Sequence, residues 1–167
     1  MGNIGFDFQG RTAIVTGAGR GIGLELARLF ATNGADTFLV DVDEDVVTAA
    51  AEDAGGAGVQ ANVADTADVQ RVVDHAIETT GRVDVLVNNA GILRDRMLWK
   101  LSDEDWEAVL GVHLGGTFRF TRTAGALPSC WLHFSHVRPS SRVTHTSTRP
   151  MPEGPRDSTS YPMSKAR

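Results

Sequence analysis

The chain is poor in cysteine, in long apolar runs and in basic side chains. A single cysteine, Cys130, among 167 residues excludes an internal disulfide, so we expect a protein of the reducing cytoplasm. No apolar run approaches the roughly 20 residues of a membrane-spanning helix, and we expect no membrane association. The 21 acidic side chains outnumber the 16 basic ones, which disfavours a nucleic-acid binder because phosphate contacts need lysine and arginine.

Proline is also absent from most of the chain. All six prolines lie at or after Pro128, whereas 17 of the 18 glycines precede it. Residues 1–127 carry 19 acidic and 10 basic side chains, but residues 128–167 carry 2 acidic and 6 basic ones. We therefore expect a folded core over residues 1–127, followed by an irregular segment over residues 128–167 that belongs to the same domain.

Within residues 1–127, short apolar runs alternate with helical patterns, which is typical of βαβ units and a parallel sheet. The runs predict strands over residues 12–16, 37–42, 59–63 and 83–87. Helices are expected from Gly21, over residues 43–53, after a cap at Asp65, and after a cap at Ser102. In the first helix the spacing predicts one buried stripe, formed by Ile22, Leu26, Leu29 and Phe30. The fold class is α/β, a doubly wound parallel sheet of the Rossmann type.

A glycine-rich turn joins the first strand to the first helix. The pyrophosphate of a dinucleotide needs a tight turn, close backbone approach and free amides at a helix N-terminus. Gly17, Gly19 and Gly21 supply the first two, and the helix that begins near Ile22 supplies the third. Gly23, without a Cβ, would let the helix lie close to the strand. The alternative is a tight turn with a purely structural role.

Asp41 ends the second predicted strand. Its carboxylate can accept hydrogen bonds from both hydroxyls of an adenosine ribose, and it would repel a 2′-phosphate. Asp41 therefore favours NAD over NADP, although Arg20 in the glycine turn could partly compensate a phosphate. The alternative is a solvated side chain within the acidic run 41–45.

Three motifs carry a family resemblance. Thr-Gly-x3-Gly-x-Gly (16–23), Asn-Asn-Ala-Gly (88–91) and Tyr-x3-Lys (161–165), in this order, resemble the short-chain dehydrogenase/reductase family. Residues 87–96, 102–106 and 112–114 are most similar to 3-oxoacyl reductases and (3R)-hydroxyacyl-CoA dehydrogenases. The resemblance implies NAD(P)-dependent hydride transfer between a secondary alcohol and a ketone. It also implies a 3-hydroxyacyl or 3-oxoacyl thioester substrate of fatty acid metabolism.

The resemblance further implies roles for individual residues. Tyr161 would be the general acid and base and would also contact the cofactor, with Lys165 as its partner and as a ligand of the nicotinamide ribose. Thr148, beside Ser147, stands where the family has a serine that contacts the substrate carbonyl; a solvated hydroxyl is the alternative. His113 replaces the asparagine of most members and matches the hydroxyacyl-CoA branch; a histidine packed in the core is the alternative.

Other positions would contact the cofactor or support its site. Asn62 and Val63 would contact adenine, unless Asn62 is only a polar strand end. Asn89, Ala90 and Gly91 would line the ribose and nicotinamide side, and Asn88 would tie neighbouring strands together. Cys130, His133 and His136 are candidate metal ligands, but they lack a metal-binding spacing. We therefore expect no metal site.

The C-terminal part departs from the family pattern. Residues 126–141 match nothing expected, and the chain ends two residues after Lys165. We expect an incomplete sheet that lacks the family's last two strands, with a fifth strand near residues 142–146. The resemblance implies that full-length members form homo-oligomers. We do not carry this expectation over to the present chain. The alternative function is therefore a catalytically inactive fragment that at most binds nucleotide weakly.

Overall fold

Strands and helices alternate along residues 5–127, the part of the chain that the computed structural model describes. The strands are β1 (Thr12–Thr16), β2 (Asp36–Asp41), β3 (Ala57–Gln60) and β4 (Val85–Val87). The helices are α1 (Gly21–Thr32), α2 (Glu44–Ala54), α3 (Thr66–Thr80), α4 (Asp103–Leu110) and α5 (Thr117–Gly125). A 3-10 turn spans Leu98–Lys100, and a π-helical turn, Gly111–Gly116, separates α4 from α5.

The strands form a parallel sheet in the order β3-β2-β1-β4. Ile14 of β1 packs with α3 and α5 on one face, and its neighbour Val15 packs with α1 and α2 on the other. Side chains of adjacent strand residues point to opposite faces, so both faces of the sheet are covered by helices. This arrangement confirms the predicted doubly wound α/β fold. The predicted fifth strand and the segment 128–167 lie outside the described residues.

The third strand differs from its predicted range of 59–63. It begins at Ala57 and ends at Gln60. The amide of Ala61 still donates to the backbone carbonyl of Asp41, but at Asn62 and Ala64 side chains accept the backbone hydrogen bonds. The amide of Asn62 donates to Oδ2 of Asp68, and the amide of Ala64 donates to Oδ1 of Asn62. The fourth strand begins at Val85, two residues after the predicted start.

The buried face of α1 also differs from the prediction. Gly23 and Ala27 are its buried residues, whereas Ile22 is 75% exposed and Leu29 is 44% exposed. The helix lies so close to the β1–α1 turn that only small side chains fit on the contacting face. Leu24, Leu26 and Phe30 pack at the edge of this contact, so the predicted stripe is correct for Leu26 and Phe30.

The helices of residues 5–127 do not combine the length and the apolar character that crossing a membrane would require.

Candidate functional site

A cleft of about 400 Å³ lies at the edge of the sheet where the strands end. In parallel α/β sheets, ligands bind outside the carboxyl ends of the strands. The cleft is lined by residues that follow each of the four strands and by one residue of the π-helical turn: Gly17, Arg20, Asp41, Val42, Ala61, Asn62, Val63, Asn89, Ala90, Gly91, Ile92 and Val112. Eight of the residues that the sequence predicted for a cofactor site are therefore brought together. Gly19 lies in the turn between β1 and α1, and Gly21 and Ile22 are the first residues of α1; these three do not line the cleft.

The β1–α1 turn leads into the backbone amides at the start of α1. Gly17 and Gly21 adopt positive φ angles of 63° and 59°, which glycine adopts without strain. Arg20 is the N-cap residue, and its side chain makes no capping hydrogen bond. The backbone amides from Arg20 to Gly23 donate to no acceptor within residues 5–127. Amides of this kind at a helix N-terminus form an anion-binding site.

Gly23 sets the distance between α1 and this turn. A Cβ added at Gly23 would lie 2.2 Å from the carbonyl oxygen of Gly17 and 2.6 Å from Nδ2 of Asn89. Neither distance leaves room for a carbon atom, so the helix can approach this closely only with glycine. The turn therefore fits the pyrophosphate of a dinucleotide, which requires such a close backbone approach.

Asp41 is fixed by backbone amides at the rim of the cleft. Its Oδ2 accepts from the amide of Gly19 at 3.0 Å, and its Oδ1 accepts from the amide of Val42 at 2.8 Å. The side chain is therefore more than a solvated member of an acidic run. Oδ1 also accepts from the amide of Asp43 at 3.4 Å. Each carboxylate oxygen has about two acceptor positions, so Oδ2, which accepts from one amide, keeps capacity for a hydroxyl of a ligand.

Asn89 joins the end of β4 to the glycine turn. Its Nδ2 donates to the carbonyl oxygens of Thr16 and Gly17 at 3.0 and 3.1 Å. The amides of Asn89 and Ala90 donate in turn to Oγ1 of Thr16. Within residues 5–127 the tie from the end of β4 to β1 is thus made by Asn89, and the role predicted for Asn88 stays a prediction. Asn88 faces the other way, and its Nδ2 lies 3.4 Å from Oγ1 of Thr121 in α5.

Asn62 and Val63 line the opposite end of the cleft from Asn89. The side-chain oxygen of Asn62 accepts from the amide of Ala64, which leaves the Nδ2 group for a ligand. The amide of Asn62 and the guanidinium of Arg71 hold the pKa of Asp68 below its usual range. Asp68 is therefore ionised at neutral pH and keeps the backbone of Asn62 in place. The adenine contact itself stays a prediction.

His113 lies in the π-helical turn and is exposed, so it is not a histidine of the core. Its Nε2 is 3.1 Å from the amide nitrogen and 2.9 Å from the carbonyl oxygen of Ile92. The contact with the segment after β4 joins residues 21 positions apart, and no short motif in the sequence predicts it.

The remaining predicted catalytic residues, Tyr161, Lys165 and Thr148, lie outside the described residues, and their roles stay predictions. The cysteine and histidine residues at positions 130, 133 and 136 lie outside them too. Within residues 5–127, no three histidine, cysteine, aspartate or glutamate side chains are placed together to hold a metal ion.

Comparison with known proteins identifies similar chains. The family described as short chain dehydrogenase matches residues 11–129. The chain is 44% identical over 129 residues to the peroxisomal multifunctional enzyme type 2 of Drosophila melanogaster, covering 70% of this chain and 21% of that enzyme. It is 37% identical over 118 residues to the 3-oxoacyl-(acyl-carrier-protein) reductase of Escherichia coli, covering 70% of this chain and 48% of that reductase. The chain thus spans half or less of the length of these curated relatives.

A solved structure has the same fold. The crystal structure of a short-chain dehydrogenase/reductase from Brucella melitensis, described as a glucose/ribitol dehydrogenase, aligns with a TM-score of 0.72 at 33% identity. The alignment covers 76% of this chain and 54% of that structure.

Proposed function

We propose, since the chain belongs to the short-chain dehydrogenase family, that its cleft binds a nicotinamide dinucleotide and that the protein is an oxidoreductase. The proposed reaction interconverts a secondary alcohol and a ketone. The observation that carries the proposal is the start of α1. Its amides from Arg20 to Gly23 have no acceptor within residues 5–127 and lie at the carboxyl edge of a parallel sheet, beside the carboxylate of Asp41.

Different residues around the cleft would bind different parts of the dinucleotide. The amides of the β1–α1 turn would hold the pyrophosphate, and Asp41 would accept from the adenosine ribose. When bound, the dinucleotide supplies the site for hydride transfer at its nicotinamide ring. We propose NAD as the cofactor, because Asp41 would repel the 2′-phosphate of NADP. Arg20 also lines the cleft, and its positive charge would offset part of this repulsion. We therefore propose that NADP also binds, but more weakly than NAD.

The proposed substrate is a small molecule, a 3-hydroxyacyl or 3-oxoacyl thioester. The support is the similarity to the 3-oxoacyl-(acyl-carrier-protein) reductases and to a hydratase-dehydrogenase-epimerase of Neurospora crassa, 39% identical over 143 residues. We propose a cytoplasmic location, because a single cysteine fits a reducing compartment. Some relatives differ in this respect, since their names describe peroxisomal enzymes.

Tyr161 is the proposed group that moves the proton. A free tyrosine has a pKa of about 10, so proton exchange near neutral pH needs a lower value. A lysine ammonium beside the phenol favours phenolate, which is the required direction. Lys165 follows Tyr161 by four residues, the spacing that puts two side chains on the same side of a helix. Thr148 would donate a hydrogen bond to the substrate carbonyl.

Turnover of a 3-hydroxyacyl-CoA with NAD, followed as NADH absorbance, tests this proposal. We expect NADH formation by the wild-type chain and a loss of about 10²–10⁴-fold in Tyr161→Phe, since general acid–base catalysis contributes that much. The affinity for NAD should change little, because the variant removes one hydroxyl. Equal turnover in wild type and variant would contradict the role of Tyr161. Saturable NAD binding with no turnover would favour the inactive nucleotide-binding alternative.

A further inference from the structure

Asn62, which lines the cleft, is held through three of its four polar groups. Its amide donates to Oδ2 of Asp68 at 2.9 Å, and its carbonyl oxygen accepts from the amide of Asp65 at 2.9 Å. Its side-chain oxygen accepts from the amide of Ala64. Because only the oxygen of a side-chain amide can accept, this bond fixes which way the amide points. Within residues 5–127, Nδ2 is the group that remains for a ligand, and it can only donate.

A second contact reaches the same end of the cleft from the last residue of β3. Gln60 pairs with Asp41 in the sheet, and its Nε2 donates to the carbonyl oxygen of Val42 at 3.3 Å. Val42 lines the cleft, as Asn62 does. Two residues of the cleft wall are therefore held by side chains that do not line it, one by Gln60 and the other by Asp68.

One arginine of α3 joins Gln60 to Asp68. Nη2 of Arg71 donates to the carbonyl oxygen of Gln60 at 2.8 Å and to Oδ1 of Asp68 at 2.7 Å. The nitrogen carries two hydrogens, so it can make both bonds at once. Arg71 lines the groove between β3 and α3 and does not line the cleft. It can therefore act on a ligand of the cleft only through its two partners.

The contact with the strand distinguishes Arg71 from an ordinary surface ion pair. An exposed arginine that pairs with a carboxylate three residues away on its helix contributes little by itself. Arg28 and Glu25 of α1 form such a pair. Arg71 forms one with Asp68 and, in addition, bonds the backbone of β3 at the point where the strand ends.

We propose that Arg71 is a positioning residue for the adenine half of the site, a role that rests on the proposed cofactor. Through Gln60 and Asp68 it keeps Val42 and Asn62 in the arrangement that this half of the ligand contacts. Nδ2 of Asn62 is then presented as a donor. Adenine carries ring nitrogens that accept a hydrogen bond, so a donor suits this base.

The test follows ADP, which carries an adenine, a ribose and a diphosphate, by the amide shifts of the ¹⁵N-labelled full chain. In the wild type, we expect saturable shifts for the amides from Arg20 to Gly23, for Val42, and for both amide groups of Asn62. In Arg71→Ala, the shifts from Arg20 to Gly23 should persist at saturation, whereas those of Val42 and Asn62 should be largely lost. The affinity for ADP should fall about three- to tenfold, the range of one hydrogen bond.

Three further variants separate geometry from charge and packing. Arg71→Met keeps the apolar stem without the guanidinium, and we expect it to behave as Arg71→Ala does. Arg71→Lys keeps the charge and several donors, and we expect it to remain closer to wild type. Arg28→Ala is the matched control, because it removes the same charge from an exposed arginine that does not line the cleft. Its ADP affinity should stay within about twofold of wild type.

Each failure of this test has its own meaning. Wild-type shifts at Val42 and Asn62 in Arg71→Ala and Arg71→Met would overturn the positioning role. Loss of the shifts at both ends of the cleft would show a general structural effect and overturn it as well, as would equal losses of affinity in Arg71→Ala and Arg28→Ala. If ADP shifts none of these amides in the wild-type chain, the proposed function itself fails, and the role of Arg71 fails with it.

Discussion

Replacing Gly23 by alanine is expected to abolish measurable NAD binding and to lower the free energy of unfolding by about 1–3 kcal/mol, the usual cost of overpacking. The new Cβ would lie 2.2 Å from the carbonyl oxygen of Gly17 and 2.9 Å from its carbonyl carbon. Both are backbone atoms that cannot rotate away. α1 must therefore shift, and the amides at its start would lose their alignment with the cleft. Urea unfolding followed by circular dichroism and NAD calorimetry measure the two effects.

Gly111→Ala is the matched control for this substitution. Gly111 has helical angles, with φ of −59° and ψ of −41°. Among the described residues outside its own turn, the nearest atom to an added Cβ is Cβ of Ala64 at 4.0 Å. We expect unchanged NAD binding and a gain in stability of up to about 0.5–1 kcal/mol, because alanine restricts the unfolded chain more than glycine does. Wild-type NAD affinity in Gly23→Ala would mean that close approach of α1 is not required.

Replacing Asp41 by alanine is expected to weaken NAD binding about 50-fold, which corresponds to roughly 2–3 kcal/mol for hydrogen bonds to a charged group. The variant removes the proposed acceptors of the ribose and leaves the amide of Gly19 without its 3.0 Å partner. The affinity for NADP should fall less or rise, because the negative charge that opposes a 2′-phosphate is gone while Arg20 remains. Calorimetric titrations with NAD and NADP give the ratio directly.

Asp45→Ala changes the net charge by the same amount and serves as the control. Asp45 belongs to the same acidic run, is exposed, and does not line the cleft. We expect its NAD affinity to stay within about twofold of wild type, as for most surface substitutions. Equal losses in the two variants would assign the effect to general charge, and an unchanged affinity in Asp41→Ala would remove Asp41 from the site.

Much of the fold is predictable because it depends on local chemistry. Asp65 accepts from the amides of Ala67 and Asp68, and Ser102 accepts from the amide of Asp105, so both predicted helix caps are confirmed. The end of β3 was not predictable, because it depends on Asp68 of the following helix, which binds the amide of Asn62. The exposure of Ile22 follows likewise from the close approach of α1, a tertiary effect.

The candidate site likewise contains features that the sequence predicts and features that depend on the tertiary structure. The glycine turn directly follows β1, and Asp41 is the last residue of β2. The parallel sheet brings the ends of its strands to one edge, so sequence order was enough to predict both. Asn88 and Asn89 are chemically identical neighbours, and only the direction of the chain after β4 decides that Asn89 faces β1. The contact of His113 depends on a π-helical turn, which apolar periodicity does not reveal.

Titration of the ¹⁵N-labelled full chain with NAD, followed by amide chemical shifts, tests the central claim most directly. The account predicts saturable shifts that are largest for the amides from Arg20 to Gly23, because these would face the pyrophosphate. Amides of the distant groove between β3 and α3, such as those of Gly58 and His75, should not move. Saturable binding that leaves the amides of the β1–α1 turn unshifted, or no saturable shift at all, would contradict it.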